Sequence, residues 1–396
     1  MMEEKEKTSS EDEGSVLDLE GSENIFYVKE DRLEIPQKQL KKLSSALASG
    51  HLNVLLGSGF SASQIPTLSH REEWFTKVLD DKGADSDEMR LLQAEYGISV
   101  LEKAASAAPD EGQVEFIRAL RDVLKNRGNT SIPRRANIFT TNYDMMVEGS
   151  CEEVGLPYND GFSGRLNPVF STESFSRVLC EQSFAHEYLT QIPTVSVMKM
   201  HGSLSWVHES DSVLFVPPMD LKKLFDLVRD DKIAKVIAKL SVMVDRKCDD
   251  AGLNDLTSDA ITLSNDAKTK LAAFAEAYET LCIVNPTKRK FKETILELGY
   301  YELLRLFSNE MDRNNALLLS LGFSFRDEHI LQITKRALGN PKLILIVFCY
   351  SKGSFEEMRE LFEGFDNVWF VVGEDDDVKI NASVAAKIIG GVVHNG

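Results

Sequence analysis

The last third of the chain repeats one pattern: a short apolar run, an amphipathic stretch, then another apolar run. The spacing predicts strands at Ala316–Leu321, Lys342–Phe348 and Val368–Val372. It predicts helices at Leu296–Met311, Glu328–Leu338, Phe355–Phe362 and about Asn381–Ile389. Continuous apolar runs suit strands covered on both faces, and stretches of 3.6-residue period suit the helices that cover them. Similar runs occur upstream at Leu52–Leu56, Asn137–Thr141 and Thr194–Met200. The fold class expected is therefore α/β, with a Rossmann-like parallel sheet.

Other stretches interrupt this alternation. Pro36 opens a helix-like segment, QKQLKKLSSALAS, that Gly50 closes. Residues 71–126 read as two or three amphipathic helices, with Trp74, Phe75 and Val78 at core spacing. Residues 155–175 are rich in Gly, Pro, Asn and Ser and read as loop. Short strands are expected at Leu204–Val207 and Val213–Val216, and strand character returns at 281–286. Residues 218–280 read as a helical insertion whose polar part, 249–270, is expected to be a flexible link. One domain over 31–396, with insertions at about 155–195 and 218–280, accounts for the length. No internal repeat or sustained heptad is present.

Charge narrows the function classes. There are 45 Lys and Arg against 63 Asp and Glu, a formal net charge of −18. This excludes a strongly basic nucleic-acid binder. Residues 1–31 hold 11 acidic and 3 basic side chains, so much of the excess belongs to an acidic tail over residues 1–30. Such a composition is expected to be flexible, or to dock on a basic partner. The five cysteines include no CxxC pair, so no zinc ribbon is expected, and a sparse odd set fits reduced thiols in a cytoplasm. No apolar run approaches the length of a membrane span, and no basic-then-apolar leader opens the chain.

Four apolar strands end in small or polar residues: GSGFS at 57–61, TTNYD at 140–144, KMHGS at 199–203 and LGFSF at 321–325. In a parallel α/β sheet, ligands bind beyond the carboxyl ends of the strands, so all four are expected at one edge. Gly57, Ser58 and Gly59 permit close backbone approach to a phosphate, or they form an ordinary strand-to-helix turn. No GxxxxGK[ST] motif occurs. Thr141, Asn142 and Asp144 offer polar groups for hydroxyls, a carboxamide or water, or serve as helix caps. His201 has the chemistry of a general base, or is a hydrogen-bonded structural histidine. Gly322 and Ser324 suit close ligand approach or a sheet-edge turn. The runs Glu374–Asp377 and Lys288–Lys292 read as solvated faces, the basic one also as a partner contact. No HExxH is present, and no metal is expected.

In this order, the four motifs resemble the sirtuin family. GSGFS is similar to its GAGxS turn, with Ser58 in place of Ala. TTNYD is similar to its (T/Q)-N-x-D element, KMHGS to the strand bearing its histidine, and LGFSF to its GxS element. The closer resemblance is to sirtuin-like NAD-consuming effectors of bacterial antiphage defence, through HGS followed by Leu204-Ser205-Trp206, through IVNPTKRKF, and above all through GFSFRDEHI at 322–330. The deacetylase sirtuins differ: their four-cysteine zinc module is missing here, and Ile65-Pro66-Thr67-Leu68 replaces their I-P-D-F-R string.

The resemblance implies NAD as substrate and cleavage of the nicotinamide–ribose bond, with no metal. By the same resemblance, Asn142 orients water or ribose and His201 meets a ribose hydroxyl. Asp144 contacts the carboxamide. Gly57, Ser58, Gly59 and Ser61 hold the diphosphate, with Thr141 beside them, and Gly322 and Ser324 the adenosine side. It further implies a homo-oligomer, a HerA-type ATPase partner, and NAD depletion in abortive infection. The alternatives are an NAD-dependent protein deacylase or ADP-ribosyltransferase, and a non-catalytic module binding NAD or ADP-ribose.

Overall fold

The computed structural model describes residues 24–395 except 30–31, 34–36, 69, 128–131, 183–188, 211, 218–220 and 287–297. The first 23 residues of the acidic tail and the run Lys288–Lys292 lie outside the described residues.

Nine strands form the central sheet: β1 (Ile25–Lys29), β2 (Arg32–Leu33), β3 (His51–Leu56), β4 (Arg135–Thr140), β5 (Tyr158–Asn159), β6 (Thr194–Lys199), β7 (Ala316–Leu321), β8 (Ile344–Phe348) and β9 (Val368–Gly373). Their spatial order is β2-β1-β9-β8-β7-β3-β4-β6-β5. All neighbours are parallel except β1 and β2. Counted from β3, the six inner strands β6-β4-β3-β7-β8-β9 run 3-2-1-4-5-6, the Rossmann order. The order reverses between β3 and β7, which makes that junction the topological switch point.

Period-2 geometry explains why these strands are largely apolar on both faces, with buried polar exceptions such as Asn53 and Asn137, which bond to each other at 2.9 Å. Leu52, Val54 and Leu56 of β3 and Leu317, Leu319 and Leu321 of β7 enter one core layer. Leu55, Ala316 and Leu318 enter the other. Helices Gln37–Ser49, Glu111–Lys125 and Ala382–Asn395 contribute Leu43, Leu47, Phe116, Ile117 and Ile388 to the first layer. Helices Leu298–Met311, Glu328–Leu338 and Lys352–Leu361 contribute Leu303, Phe307, Ile330 and Phe355 to the second. Each fully buried aliphatic side chain contributes about 2 kcal/mol.

Three segments differ from the sequence expectation. Ile25–Lys29, at the end of the expected tail, is a strand pairing with β9, because Phe26 and Val28 alternate inward. Residues 249–270 are not a flexible link. They lie in helices Asp250–Thr262 and Asn265–Tyr278, capped by the side chains of Asp249 and Ser264 and anchored by Leu253, Leu256, Ala260 and Leu271. The expected loop at 155–175 carries short strands, two of which join a five-stranded sheet with Gly202–Glu209, Ser212–Phe215 and Leu281–Ile283. Phe162, Phe170, Phe215 and Trp206 hold that sheet together, with Phe170 and Trp206 ring centroids 4.5 Å apart. Among the described residues, no helix is long and apolar enough to cross a membrane.

Candidate functional site

The site grows out of the contact between two turns. After β3 the chain enters a single 3-10 turn, Ser58–Phe60, and after β7 it turns at Gly322. These turns touch backbone to backbone. Gly57 N donates to Leu321 O at 3.2 Å and Gly59 N to Gly322 O at 2.9 Å. A Cβ on Gly57 would lie 2.5 Å from Gly322 O, and one on Gly59 2.7 Å from Gly322 Cα. The glycines are thus required by the meeting of two main chains, whatever else binds there. Gln113, in the first turn of helix Glu111–Lys125, fixes the first turn by donating to Phe60 O at 2.7 Å. Phe325 anchors the second, buried against Phe323 and Phe362 with a left-handed backbone at φ 54°.

Asn142 and Asp144 follow β4 and both reach Ser61. Asn142 Nδ2 donates to Gly57 O at 3.0 Å and to Ser61 Oγ at 3.2 Å, and Ser61 Oγ donates to Asp144 Oδ2 at 2.8 Å. Asp144 Oδ1 accepts from Met146 N at 3.0 Å, at the start of helix Met146–Val154. Both carboxylate oxygens of Asp144 therefore have protein partners. For Asn142, the amide nitrogen is committed and Oδ1 is the remaining acceptor. Thr141 stands beside them, half-buried, with its amide on Leu56 O.

Beneath this cluster Lys199, 2% exposed, donates to Asp144 O and pairs with Glu148 at 3.2 Å. Burial pushes the Glu148 carboxyl up, against the pull of the Lys199 ammonium. A buried pair of this kind stabilises little in itself, but losing one member strands the other.

His201 ends the segment that leaves β6. Gly202, at φ +83°, turns the chain into the second sheet, where a Cβ would overlap the Cys282 carbonyl. Val284 N donates to His201 O at 2.9 Å and fixes the backbone. His201 Nε2 lies 2.9 Å from Asp327 Oδ2. Burial raises the Asp327 carboxyl, but the His201 hydrogen bond and charge, with the Ile330 amide, outweigh it and hold the group at about 2. Asp327 carries a signal in sequence, an Asp before an amphipathic helix. That signal reads as a cap, which Asp327 also is, accepting from His329 N and Ile330 N. Its partnership with His201 is a tertiary contact that no local pattern encodes.

Two adjoining cavities open over these turns. One, about 770 Å³, is lined by Ser61, Thr141, Asn142, Asp144, His201 and Asp327, and includes Ile65, Pro66, Thr67 and Leu68 in its wall. The other, about 700 Å³, is lined by Gly59, Asp110, Phe348, Tyr350, Glu357 and Asn381 among others. Ser58, Gly322, Phe323 and Ser324 border both. Among the described residues, the amides of Ser58, Phe323 and Ser324 have no backbone acceptor, so this border carries free donors. The structure thus brings nine of the ten sequence-selected residues to the cleft wall, and places Gly57 just behind it. Among the described residues, no three His, Cys, Asp or Glu side chains are grouped to hold a metal ion. No family model and no curated protein matches this chain.

Proposed function

We propose that this chain hydrolyses NAD at the nicotinamide–ribose bond, giving nicotinamide and ADP-ribose. The observation that carries the reading is the pair of cavities meeting at the switch point of a Rossmann-ordered sheet. A dinucleotide is two nucleosides joined at a diphosphate, and it binds across such a crevice. The diphosphate takes the border, where the Ser58, Phe323 and Ser324 amides have no backbone acceptor among the described residues. The nicotinamide riboside takes the side holding Asn142 and His201, and the adenosine takes the other.

Cleavage at C1 of the ribose develops oxocarbenium character, and the nicotinamide leaves with the bonding electron pair. The protein's task is to hold the ribose and place water opposite the leaving group. Asn142 Oδ1 orients that water or a ribose hydroxyl, and His201 accepts a proton. Asp144, with both oxygens engaged, keeps Ser61 and Asn142 in place. Ile65, Pro66, Thr67 and Leu68 wall the same cavity where the deacetylases carry their acidic string, which favours water over an acyl-lysine as acceptor. By resemblance, the setting is a cytoplasmic homo-oligomer that depletes NAD in antiphage defence with a HerA-type ATPase.

The test is incubation of purified protein with NAD, no acyl peptide, and chromatography of the products. Wild type releases nicotinamide and ADP-ribose, and Asn142→Ala and His201→Ala each lose at least a hundredfold in rate, as expected for a positioning group and an acid–base group. No turnover, either alone or with a HerA-type ATPase added, overturns the reading.

A further inference from the structure

The cleft contains one ion-pair contact that the NAD-cleaving reading leaves unused, and it joins two segments remote in sequence. Asp327 Oδ1 accepts from the amides of His329 and Ile330 at 3.1 and 3.3 Å. Its Oδ2 lies 2.9 Å from His201 Nε2. The carboxylate is therefore held at both ends, by the first turn of helix Glu328–Leu338 and by the imidazole. Both side chains are largely withdrawn from solvent, at 11% and 15% exposure. Glu72, Asp144, Arg326, Glu328 and His329 also line this half of the cleft, yet Asp327 is the group within bonding distance of the ring among the described residues.

An ionised carboxylate is acceptor-only, so the hydrogen between these atoms must sit on Nε2. We infer that Asp327 is a positioning residue that fixes His201 as its Nε2–H tautomer and leaves Nδ1 as the ring's free acceptor. The tautomer assignment rests on this geometry alone, and its consequence for turnover rests on the NAD-cleaving reading. In that reaction the O–H bond of a ribose hydroxyl or of the attacking water breaks. Its proton goes to Nδ1, and the resulting imidazolium is balanced by the Asp327 carboxylate. The second carboxylate oxygen, bound to the helix, keeps the pair from rotating away. The logic is that of an acid–base histidine oriented by a third group, assembled here from a helix cap.

Asp327→Asn separates the two duties of the residue. Asn is as good an N-cap as Asp, so the helix start is retained. With its oxygen on the cap, its amide nitrogen faces Nε2 and can only donate, which forces the ring proton to Nδ1. The experiment is nitrogen-15 NMR of the full chain with labelled histidine, at a pH where the imidazole is neutral. His201→Ala supplies the assignment. Wild type is expected to show protonated Nε2 and bare Nδ1, and Asp327→Asn the reverse. Asp327→Ser, which caps but is too short to reach the ring, is expected to show a mixture. Unchanged His201 resonances in both folded variants overturn the inference. So does a wild-type ring protonated on Nδ1. Turnover is read separately: Asp327→Asn is expected to lose at least a hundredfold in rate with ADP-ribose affinity unchanged. If the ring flips but wild type never cleaves NAD, the function proposal fails and the assignment of Asp327 stands.

Discussion

Gly322 and Gly155 offer a controlled comparison. Both have left-handed backbones, at φ +65° and +66°. A Cβ on Gly155, which ends helix Met146–Val154, meets nothing within 4 Å. A Cβ on Gly322 would press against the Phe60 amide and lie 2.6 Å from Gly59 C and 2.8 Å from Gly59 Cα. Gly155→Ala therefore carries the backbone cost alone, about 1–2 kcal/mol, less a few tenths recovered from the stiffer unfolded chain. Gly322→Ala carries that cost plus overpacking of about 1–3 kcal/mol. The upper part of that range applies, because the atoms met are main chain and have no flexible end to yield. Separating the turns also strains the bonds from Gly57 N to Leu321 O and from Gly59 N to Gly322 O. The difference between the variants is thus expected at about 2–3 kcal/mol. Urea unfolding of wild type and both variants, followed by circular dichroism, measures it. Equal destabilisation, within about 0.5 kcal/mol, would falsify the claim that main-chain contact at the switch point selects glycine there.

Three further predictions test other parts of the structure. Lys199→Met or Glu148→Met alone is expected to destabilise by about 3–5 kcal/mol, and the double variant by much less, because each single change leaves a buried charge without its partner; denaturant midpoints of the four proteins decide this. The lowered Asp327 carboxyl gives about 2 kcal/mol that is present above the unfolded value near 3.9 and lost as pH falls towards about 2. The stability gap between wild type and Asp327→Asn should accordingly narrow by that amount between about pH 6 and about pH 2, and a constant gap refutes it. Of the five free thiols Cys180 is exposed, whereas burial pushes Cys349 up to about 12 and Cys248 up to about 11. Maleimide labelling of the native chain should show one fast thiol that Cys180→Ser removes.

The central sheet is legible in the sequence because each inner strand supplies apolar residues to two core layers at once. Leu52 to Leu56 and Ala316 to Leu321 carry that requirement as apolar runs interrupted once each, at Asn53 and Ser320. Helices Asp250–Thr262 and Asn265–Tyr278 escape notice for the opposite reason. They bury a narrow stripe, so Leu253, Leu256 and Ala260 are diluted by Asn254, Asp255 and Ser258 on open faces. Their caps, Asp249 and Ser264, are in plain view, and capping was a better signal there than mean polarity. The strand Ile25–Lys29 is hidden by its acidic neighbours in the same way. At the site, the strand-end rule gathers Ser58, Thr141, Asn142, His201 and Gly322 because it depends on topology alone. Asp327 lies one loop beyond the strand end, so the same rule stops short of it.

Glycine turns invite the reading that their own amides bind phosphate, and here the hydrogen bonds redistribute that role. Gly57 N and Gly59 N are consumed by Leu321 O and Gly322 O. The glycines therefore act by letting β3 and β7 end against each other without side chains between them. Ser58, Phe323 and Ser324, at the border of the two cavities, keep amides with no backbone acceptor among the described residues. An anion there would meet donors from both sides of the switch point, held by a backbone already locked together. Widening the junction by one methyl group at Gly322 should then weaken ADP-ribose binding, whereas the same methyl group at Gly155 should leave it unchanged. The two glycine variants thus report on the ligand as well as on the fold. If Gly322→Ala stays folded and binds ADP-ribose as wild type does, the diphosphate is not held at this border.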